Sequence, residues 1–396
     1  MRVLSGIRVL DLSRILAGPF ATMVLCDLGA EVIKVERPLF GDPARGNGPF
    51  MDGESSYFMS LNRGKKSITL DLKRDEGREV FIELVKRSDV LVENFVPGVM
   101  DRLGLGYEVL KEVNPSLIYC AISGFGQDGP YRTRPAFDII VQALGGIMSI
   151  TGHPDGPPVR PGVSYGDIVA GLFAVIGILS ALEKRRRTGE GEFIDISMLD
   201  CQIAVLENAF MRYFATGEVP KPLGTRHPVY TPFQAFRTKD GWIVVAPAGG
   251  TSSDWELLCS AIDRVDLIND ERFADGWKRT QNYDKLEPIL SEAFLKKTTS
   301  EWLKILTDLG IPCAPVNRID DAEKDPQVIH RGMIKKIKHP RIGEVKLIDS
   351  PIKFRGSECG IKGVAPALGE HTDEILKKLL GFPEDKIKTL RKKGVI

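Results

Sequence analysis

Short apolar runs alternate with amphipathic segments through the first half of the chain, and this pattern predicts repeated βαβ units. Strands are predicted at residues 7–12, 31–35, 90–93, 117–122 and 193–198, and helices at 20–28, 76–87, 107–113, 168–182 and 201–216. Regular alternation of this kind is typical of a mostly parallel sheet with helices on both faces. We therefore expect an α/β fold with a doubly wound, Rossmann-like large domain that binds ligands at the carboxyl ends of its strands.

The pattern changes after residue 200, which predicts a second, smaller α/β domain. A strand at 242–246 is followed by helices at 255–262, 283–294 and 299–309. We predict the first part of the large domain at 1–200, a linker helix at 201–224, the small domain at 225–320, and a linker and return to the large domain at 321–396. The lysine-rich tail at 371–396 is expected to be helical and to pack on the first domain.

One segment is far more apolar than the rest of the chain. In the fifteen residues from 168 to 182 the only polar side chain is Ser180. A helix that is apolar all round is expected to be buried on every side, and this one is shorter than the ~20 residues that span a bilayer. Asp167 stands directly before this segment, and from position alone it is expected to be the N-cap of the helix.

Charge, cysteine usage and histidine spacing exclude several classes of function. Lys and Arg number 54 against 53 for Asp and Glu, so the net charge of +1 gives no overall attraction to nucleic acid or to an acidic membrane. The six cysteines and five histidines show no metal-ligand spacing, and we expect no metal site. Residues 1–7 lack the apolar core of a secretory signal, and we expect a cytoplasmic protein.

Two short motifs match known functional patterns only as strings. Gly124-x-Gly126-x-x-Gly129 resembles a dinucleotide fingerprint, but prolines follow it where a helix would have to begin, so a plain loop is favoured. Gly162-x-Ser164-x-Gly166 matches the nucleophile elbow of α/β hydrolases, which requires a strand that runs into the serine. Three prolines at 157–161 disfavour such a strand, and a serine hydrolase that uses Ser164 remains a more remote alternative.

Six separated strings, in order along the chain, carry a family resemblance. They are GIRVLD at 6–11, AGP at 17–19, GAEVIKVER at 29–37, KSI at 66–68 with LDLK at 70–73, VENF at 92–95 with PG at 97–98, and LGEHT at 368–372. The chain resembles the class III CoA-transferases, the family of formyl-CoA transferase and carnitine CoA-transferase, which also contains α-methylacyl-CoA racemase. The resemblance covers essentially the whole sequence.

The resemblance implies a catalytic role for Asp167. In this family the aspartate of a Gly-Asp pair attacks an acyl-CoA thioester, and CoA passes to an acceptor acid through an aspartyl anhydride and an aspartyl-CoA thioester. The resemblance also implies an interlocked homodimer, no nicotinamide, flavin or metal, and a glycine-rich loop over the site, either 223–225 or 248–250. The CoA site that it implies consists of Arg14, Ile15, Leu16, Ala17, Arg37, Leu70, Lys73, Asn94, Phe95, Arg102, Leu103 and Phe137.

Phe137 distinguishes transfer from racemisation within the family. The racemase has a histidine at this position, where it exchanges an α-proton, and phenylalanine carries no exchangeable proton. Transfer is therefore the expected reaction, with racemisation and CoA binding without turnover as alternatives. Formyl-CoA transferase has a histidine and a glutamine where this chain has Arg14 and Leu16, so a larger acid such as succinate or glutarate, paired by an arginine, is expected instead of formate or oxalate.

Overall fold

The strands and helices follow the alternation that the sequence predicts. The computed structural model describes residues 1–247 and 252–396, with strands β1 Arg8–Asp11, β2 Glu31–Glu36, β3 Phe50–Met51, β4 Glu54–Ser55, β5 Lys66–Thr69, β6 Val90–Glu93, β7 Ile118–Ser123, β8 Glu192–Ser197, β9 Gln234–Arg237, β10 Trp242–Val245, β11 Cys313–Pro315, β12 Ile334–His339 and β13 Gly343–Ile348. The helices are α1 Ala17–Leu28, α2 Ser56–Asn62, α3 Asp75–Val85, α4 Val99–Arg102, α5 Tyr107–Val113, α6 Asp138–Gly145, α7 Ile147–Ile150, α8 Tyr165–Thr188, α9 Met198–Val205, α10 Glu207–Thr216, α11 Ser252–Ala261, α12 Gly276–Gln281, α13 Tyr283–Phe294, α14 Thr299–Asp308, α15 Ile319–Ala322, α16 Pro326–His330, α17 Thr372–Glu374 and α18 Glu384–Lys392.

Six strands form one parallel sheet in the order β5-β2-β1-β6-β7-β8. Numbered along the chain within this sheet, the order is 3-2-1-4-5-6, which is the doubly wound arrangement. The predicted α/β class with a large parallel sheet is confirmed. Because the strand order reverses between β1 and β6, the crevice between their carboxyl ends is the place where such sheets bind ligands.

Apolar side chains cover both faces of the sheet, which explains why the central strands are almost wholly apolar. On one face, α1, α6, α8 and α9 bury residues such as Ala21, Leu25, Val141 and Ile178 against the sheet. On the other face, α3, α5 and the tail bury another set that includes Phe81, Leu110, Ile387 and Leu390. The C-terminal tail therefore forms part of the core around the sheet.

The described residues divide into two compact units. The first comprises Met1–Ile147, Arg160–Gly217 and Gln327–Ile396, and the second comprises Met148–Val159 and Glu218–Pro326. In the second unit the antiparallel sheet β11-β10-β9 packs with helices around a core that includes Phe236, Phe294 and Trp302. The division into four segments that the sequence predicts, with its boundaries, stays a prediction.

Helix α8 differs from its prediction in two respects. It begins at Tyr165 and ends at Thr188, so Asp167 lies in its first turn and Ser164 occupies the N-cap position. The prediction that this helix is buried on every side was wrong, because a stripe of its apolar side chains faces outward. Leu172 is 45% exposed and Ile176 is 58% exposed. By length and composition alone the helix is long enough to cross a membrane, although half of its apolar stretch is buried within the fold.

Two other elements differ from the sequence prediction, a helix that is divided in two and a strand that was not predicted. The single helix predicted at 201–216 is two helices, α9 and α10, which meet at Leu206. Strand β5 was not predicted, because its four residues KSIT carry no alternating apolar pattern. Side-chain and backbone contacts explain its place at the sheet edge: it pairs in parallel with β2, and the Ser67 hydroxyl donates to Glu36 at 2.7 Å.

Buried charges hold the loop that follows β1. Asp11, which is fully buried, accepts a hydrogen bond from Lys65 Nζ at 2.8 Å and from the backbone N–H of Ser13 at 3.0 Å. Lys34 Nζ lies 2.9 Å from Asp42 and donates to the carbonyl of Ser13 at 2.8 Å. Although burial alone raises the pKa of a carboxyl, Lys34 and Lys65 hold the pKa of Asp11 well below its ordinary value.

We expect Asp11→Ala to destabilise the protein by about 3–5 kcal/mol, because it leaves the buried Lys65 without its counter-ion and leaves Lys34 with Asp42 alone. Urea unfolding followed by circular dichroism measures the change. Asp266→Ala is the matched control, since Asp266 forms a solvent-exposed ion pair with Arg264, and it should leave the unfolding midpoint unchanged. Equal midpoints for both variants would show that the buried network contributes no stability.

Candidate active site

The loops after β1 and β6 meet at the switch point of the parallel sheet. The backbone N–H of Arg14 donates to Asn94 Oδ1 at 2.7 Å, and Asn94 Nδ2 donates to the carbonyl of Arg14 at 2.8 Å. The guanidinium of Arg14 also lies over the ring of Phe95, 4.5 Å from its centroid. These contacts join the two loops across the crevice and fix the position of both side chains.

Ile15 adopts a backbone conformation that a β-branched residue rarely accepts, with φ of 66°. Its N–H donates to Asp42 Oδ1 at 3.1 Å, so the buried charge network holds the loop in this conformation. Strain of this kind is typical of functional sites, where the surrounding structure over-determines the backbone. The consequence is a sharp turn that delivers Leu16 and Ala17 to the start of α1.

Two cavities open at this edge of the sheet. The first, of about 340 Å³, lies over the carboxyl ends of β2 and β5, and the second, of about 200 Å³, contains Asp167. Arg14 and Phe95 line both cavities. An elongated ligand that occupied both would therefore pass the stacked Arg14–Phe95 pair.

The cavities bring together most of the residues that the resemblance implied. Arg14, Arg37, Leu70, Lys73, Phe95 and Leu103 line the larger cavity, and Arg14, Ile15, Leu16, Ala17, Asn94, Phe95, Phe137 and Asp167 line the smaller one. Arg102 lines neither; it is exposed at the end of α4, one residue before Leu103. The CoA-binding roles of all these residues stay predictions.

Asp138 fixes the first turn of α8, which carries Asp167. Asp138 Oδ1 accepts a hydrogen bond from the backbone N–H of Gly166 at 2.8 Å, and Oδ2 accepts one from Arg160 Nη2 at 2.7 Å. Arg160 Nη2 also donates to the hydroxyl of Ser164 at 2.9 Å. Only glycine fits at 166, because a Cβ there would lie 2.6 Å from Val141 and 3.1 Å from the Asp138 carboxylate.

The surroundings of Asp167 change its ionisation. Burial, which disfavours the charged form, and the nearby Asp138 carboxylate raise the pKa of Asp167 to about 7, while the Arg160 guanidinium lowers it. Asp167 is therefore expected to be only partly ionised at neutral pH. Burial and the carboxylates of Asp167, Asp42 and Asp138 raise the pKa of Tyr57 to about 12, so its hydroxyl stays protonated near the site.

The two string motifs do not have the structural context that their functions require. No strand runs into Ser164, because residues 156–163 lie outside any strand or helix. Gly129 is followed by turn and loop residues until α6 begins at Asp138, so no helix N-terminus follows the Gly124–Gly129 string. Within 1–247 and 252–396 no cluster of His, Cys, Asp and Glu has the geometry of a metal site.

Of the two glycine-rich segments that could cover the site, the structure describes one. Leu223–Gly224–Thr225 lies in the second unit, where the N–H of Gly224 donates to the carbonyl of Gly152 at 2.8 Å. The other segment, Ala248–Gly249–Gly250, lies outside the described residues. Which of them covers the site stays open.

The model of CoA-transferase family III matches residues 4–372 of the chain. The chain belongs to CoA-transferase family III. A succinyl-CoA:glutarate CoA-transferase from Mus musculus is 42% identical over 397 residues, covering 100% of this chain and 91% of that protein. An acetyl-CoA:oxalate CoA-transferase from Acetobacter aceti is 43% identical over 383 residues, covering 96% of each. The crystal structure of a CAIB/BAIF family protein from Brucella suis has a TM-score of 0.84 at 41% identity, covering 96% of this chain and 99% of that one.

Family membership confirms the resemblance seen in the sequence and identifies the chain as an enzyme of this class, a CoA-transferase. Sequence reasoning missed several residues that surround Asp167 in this family III chain: Tyr57, Arg132, Arg134, Asp138 and Arg160. Asp138 directly follows Phe137, and its position as the first residue of a helix was the signal that could have found it. The others are brought to the site only by tertiary structure.

We expect the carboxyl of Asp167 to titrate near pH 7 in the free enzyme. Asp138→Asn should lower this pKa because it removes a neighbouring negative charge, and Arg160→Met should raise it because it removes the compensating positive charge. Difference infrared spectroscopy of the carboxyl stretch against pH measures the values, with Asp167→Asn subtracted to identify the signal. A pKa near 4 in the wild type would contradict the burial of this group.

Proposed function

We propose that the protein transfers CoA from an acyl-CoA donor to a carboxylic acid through covalent intermediates on Asp167. The observation that carries the proposal is the position of Asp167. Among the described residues it is the only carboxylate that lines the smaller cavity, which shares the Arg14–Phe95 pair with the larger one. A carboxylate there can meet the thioester of a CoA molecule whose nucleotide end occupies the larger cavity, beside the cations of Arg37 and Lys73.

The proposed chemistry needs no group besides the carboxylate and the substrates. Ionised Asp167 attacks the thioester carbonyl, the carbon–sulfur bond breaks, and CoA thiolate leaves behind a mixed anhydride. The thiolate then attacks the aspartyl carbonyl of the anhydride, the carbon–oxygen bond breaks, and the donor acid leaves as its carboxylate. The acceptor carboxylate then attacks the aspartyl-CoA thioester, which releases CoA thiolate and forms a second mixed anhydride. The thiolate attacks the acceptor carbonyl of this anhydride, so the acceptor leaves as its CoA thioester and the Asp167 carboxylate is restored. An activated carbonyl is present at every stage, either on the acyl group or on Asp167.

The residues around Asp167 support transfer in preference to the alternatives. Phe137, which lines the same cavity, has no proton to exchange, and this disfavours racemisation. The apolar walls of the cavity, such as Ile122 and Met198, limit the water that would hydrolyse an anhydride. Desolvation also makes a carboxylate more reactive, at the expense of its ionised fraction at neutral pH.

The substrates that we propose are dicarboxylic acids of four or five carbons and their CoA thioesters. The names of related enzymes support this choice, since relatives are named for succinyl-CoA with glutarate and for succinyl-CoA with mesaconate. Another relative is named for oxalate at a similar identity, so identity alone does not select the acid. Arg132 and Arg134, in the loop after β7, line the cavity of Asp167 and favour an acyl chain that carries a negative charge of its own.

We expect hydroxylamine to trap Asp167 as a hydroxamate when the enzyme is incubated with succinyl-CoA, because the aspartyl carbonyl is activated in both intermediates, first as an anhydride and then as a thioester. Mass spectrometry of the peptide that contains Asp167 measures the adduct. Asp167→Ala should reduce CoA transfer by at least about a thousandfold, since it removes the nucleophile. Ser164→Ala should still give the adduct on Asp167. Fluorophosphonate labelling of Ser164 without any adduct on Asp167 would favour the hydrolase instead.

Exposed apolar side chains on the first unit support a second proposal, that the protein is a homodimer. A cytoplasmic location stays the prediction from the sequence. Large apolar side chains are exposed on α6, α8 and α10, and they include Ile139, Phe173, Ile176, Met211 and Phe214. Monomeric soluble proteins rarely leave such a face uncovered. A second copy of this chain is the partner that the family resemblance implies, and its apolar face would cover the stripe on α8.

We expect the protein to sediment at twice the mass of a single chain, and Ile176→Glu to weaken this association because it places a charge in an apolar contact. Analytical ultracentrifugation measures both. Val265→Glu is the control, since Val265 is equally exposed but lies in the second unit outside this face. A wild-type monomer, or a protein that sediments with membranes, would contradict the proposed dimer.

A further inference from the structure

The loop between β7 and α6 is held firmly at the edge of the Asp167 cavity. Gly124 and Ala136 pack so closely that a Cβ on Gly124 would lie 2.3 Å from the Cβ of Ala136. The N–H of Gly126 donates to the Ser123 hydroxyl at 2.9 Å, and the N–H of Gln127 donates to Asp195 at 2.9 Å. These hydrogen bonds join the start of the loop to β7 and β8, and the contact with Gly124 holds the end of the loop beside its start.

Arg134 in this loop is oriented by aromatic rings. Its guanidinium lies 5.1 Å from the ring centroid of Tyr131 and 5.8 Å from that of Phe125, and the two rings meet edge to face at 5.5 Å. Within the part of the chain that the structure describes, the Arg134 side chain donates no hydrogen bond and forms no ion pair. Stacking occupies the faces of a guanidinium and leaves its in-plane N–H donors available for a carboxylate.

Arg134 lines the cavity of Asp167 and not the larger cavity that contains Arg37 and Lys73. The phosphates of CoA have their own cations in that larger cavity, and Arg14 is already stacked on Phe95 between the two. Because Arg134 lines the cavity of Asp167, we expect its positive charge to be paired there with an anionic group of the bound acyl chain. Resting on the proposed function, we propose that Arg134 binds the distal carboxylate of a dicarboxylic acyl group and selects for it.

The experiment compares two acceptor acids of equal length, with acetyl-CoA as the donor because its acyl group has no distal carboxylate. Glutarate carries a distal carboxylate and valerate carries a methyl group in its place. The ratio of kcat/KM for glutarate to kcat/KM for valerate is measured in the wild type, Arg134→Met, Arg134→Lys and Arg132→Met. Arg132→Met is the matched control, because Arg132 lines the same cavity but is not stacked on an aromatic ring.

We expect Arg134→Met to lower kcat/KM for glutarate by about 10- to 100-fold, the loss typical of one charge-assisted pair, with the value for valerate nearly unchanged. Arg134→Lys should restore part of the loss, because it keeps the charge without the planar fork. Retained transfer to valerate shows that the variant is folded.

Three outcomes would overturn the assignment. An unchanged ratio in Arg134→Met shows that Arg134 does not read the acid, and an equal loss for both acids with a raised KM for the donor shows that it contacts CoA instead. If the ratio falls further in Arg132→Met than in Arg134→Met, Arg132 and not Arg134 binds the distal carboxylate. A wild type that transfers CoA to neither acid and gives no adduct on Asp167 overturns the proposed function as well, which separates the two failures.

Discussion

The hydrogen bond from the backbone of Gly166 to the carboxylate of Asp138 is the constraint on which the site depends. It ties the start of α8 to the start of α6, and the same carboxylate is bound by Arg160. Because Gly166 has no side chain, the two helices approach closely enough for Asp138 to act on Asp167 through space. One contact therefore sets both the position of the proposed nucleophile and its ionisation.

A second close approach brings the N-terminus of α1 to the same place. A Cβ on Gly171 of α8 would lie 2.8 Å from the carbonyl oxygen of Ala17, so the two helices cross there almost backbone to backbone. Ala17 is the first residue of α1 and follows the strained loop at Ile15. The parallel sheet supplies the crevice, the buried charges hold the loop, and the small residues of α8 let the two helices meet beside Asp167.

Much of the first unit could be predicted from the sequence because its central strands are buried on both faces and contain short apolar runs. The run Val90–Leu91–Val92 is an example: β6 begins with it and ends at the next residue, Glu93. The edge strand β5 carries Lys66 and Ser67, whose partners Glu31 and Glu36 lie on β2, so only the tertiary structure reveals it as a strand. Polar residues with distant partners leave no periodic signal.

The site was predictable to a similar depth. The family resemblance located Asp167, and most of the residues that it implied for the CoA site line the two cavities. Asp138 and Arg160, however, act on Asp167 through contacts that no local pattern encodes. The prediction that α8 is buried on every side was wrong for a related reason. A run of apolar residues shows that a surface avoids water, and it does not distinguish a surface covered by the same chain from one covered by another.

The ionisation of Asp167 results from opposing effects of unequal size. A carboxylate in the first turn of a helix gains ~0.3–1 kcal/mol from the helix dipole, and both α8 and the nearby start of α1 act in that direction. Burial and the Asp138 carboxylate act in the opposite direction and raise the pKa of Asp167 to about 7. A carboxylate that is disfavoured in this way loses less on forming a neutral anhydride or thioester than a solvated one does. The same burial that leaves part of the enzyme protonated at neutral pH therefore favours the covalent state on which transfer depends.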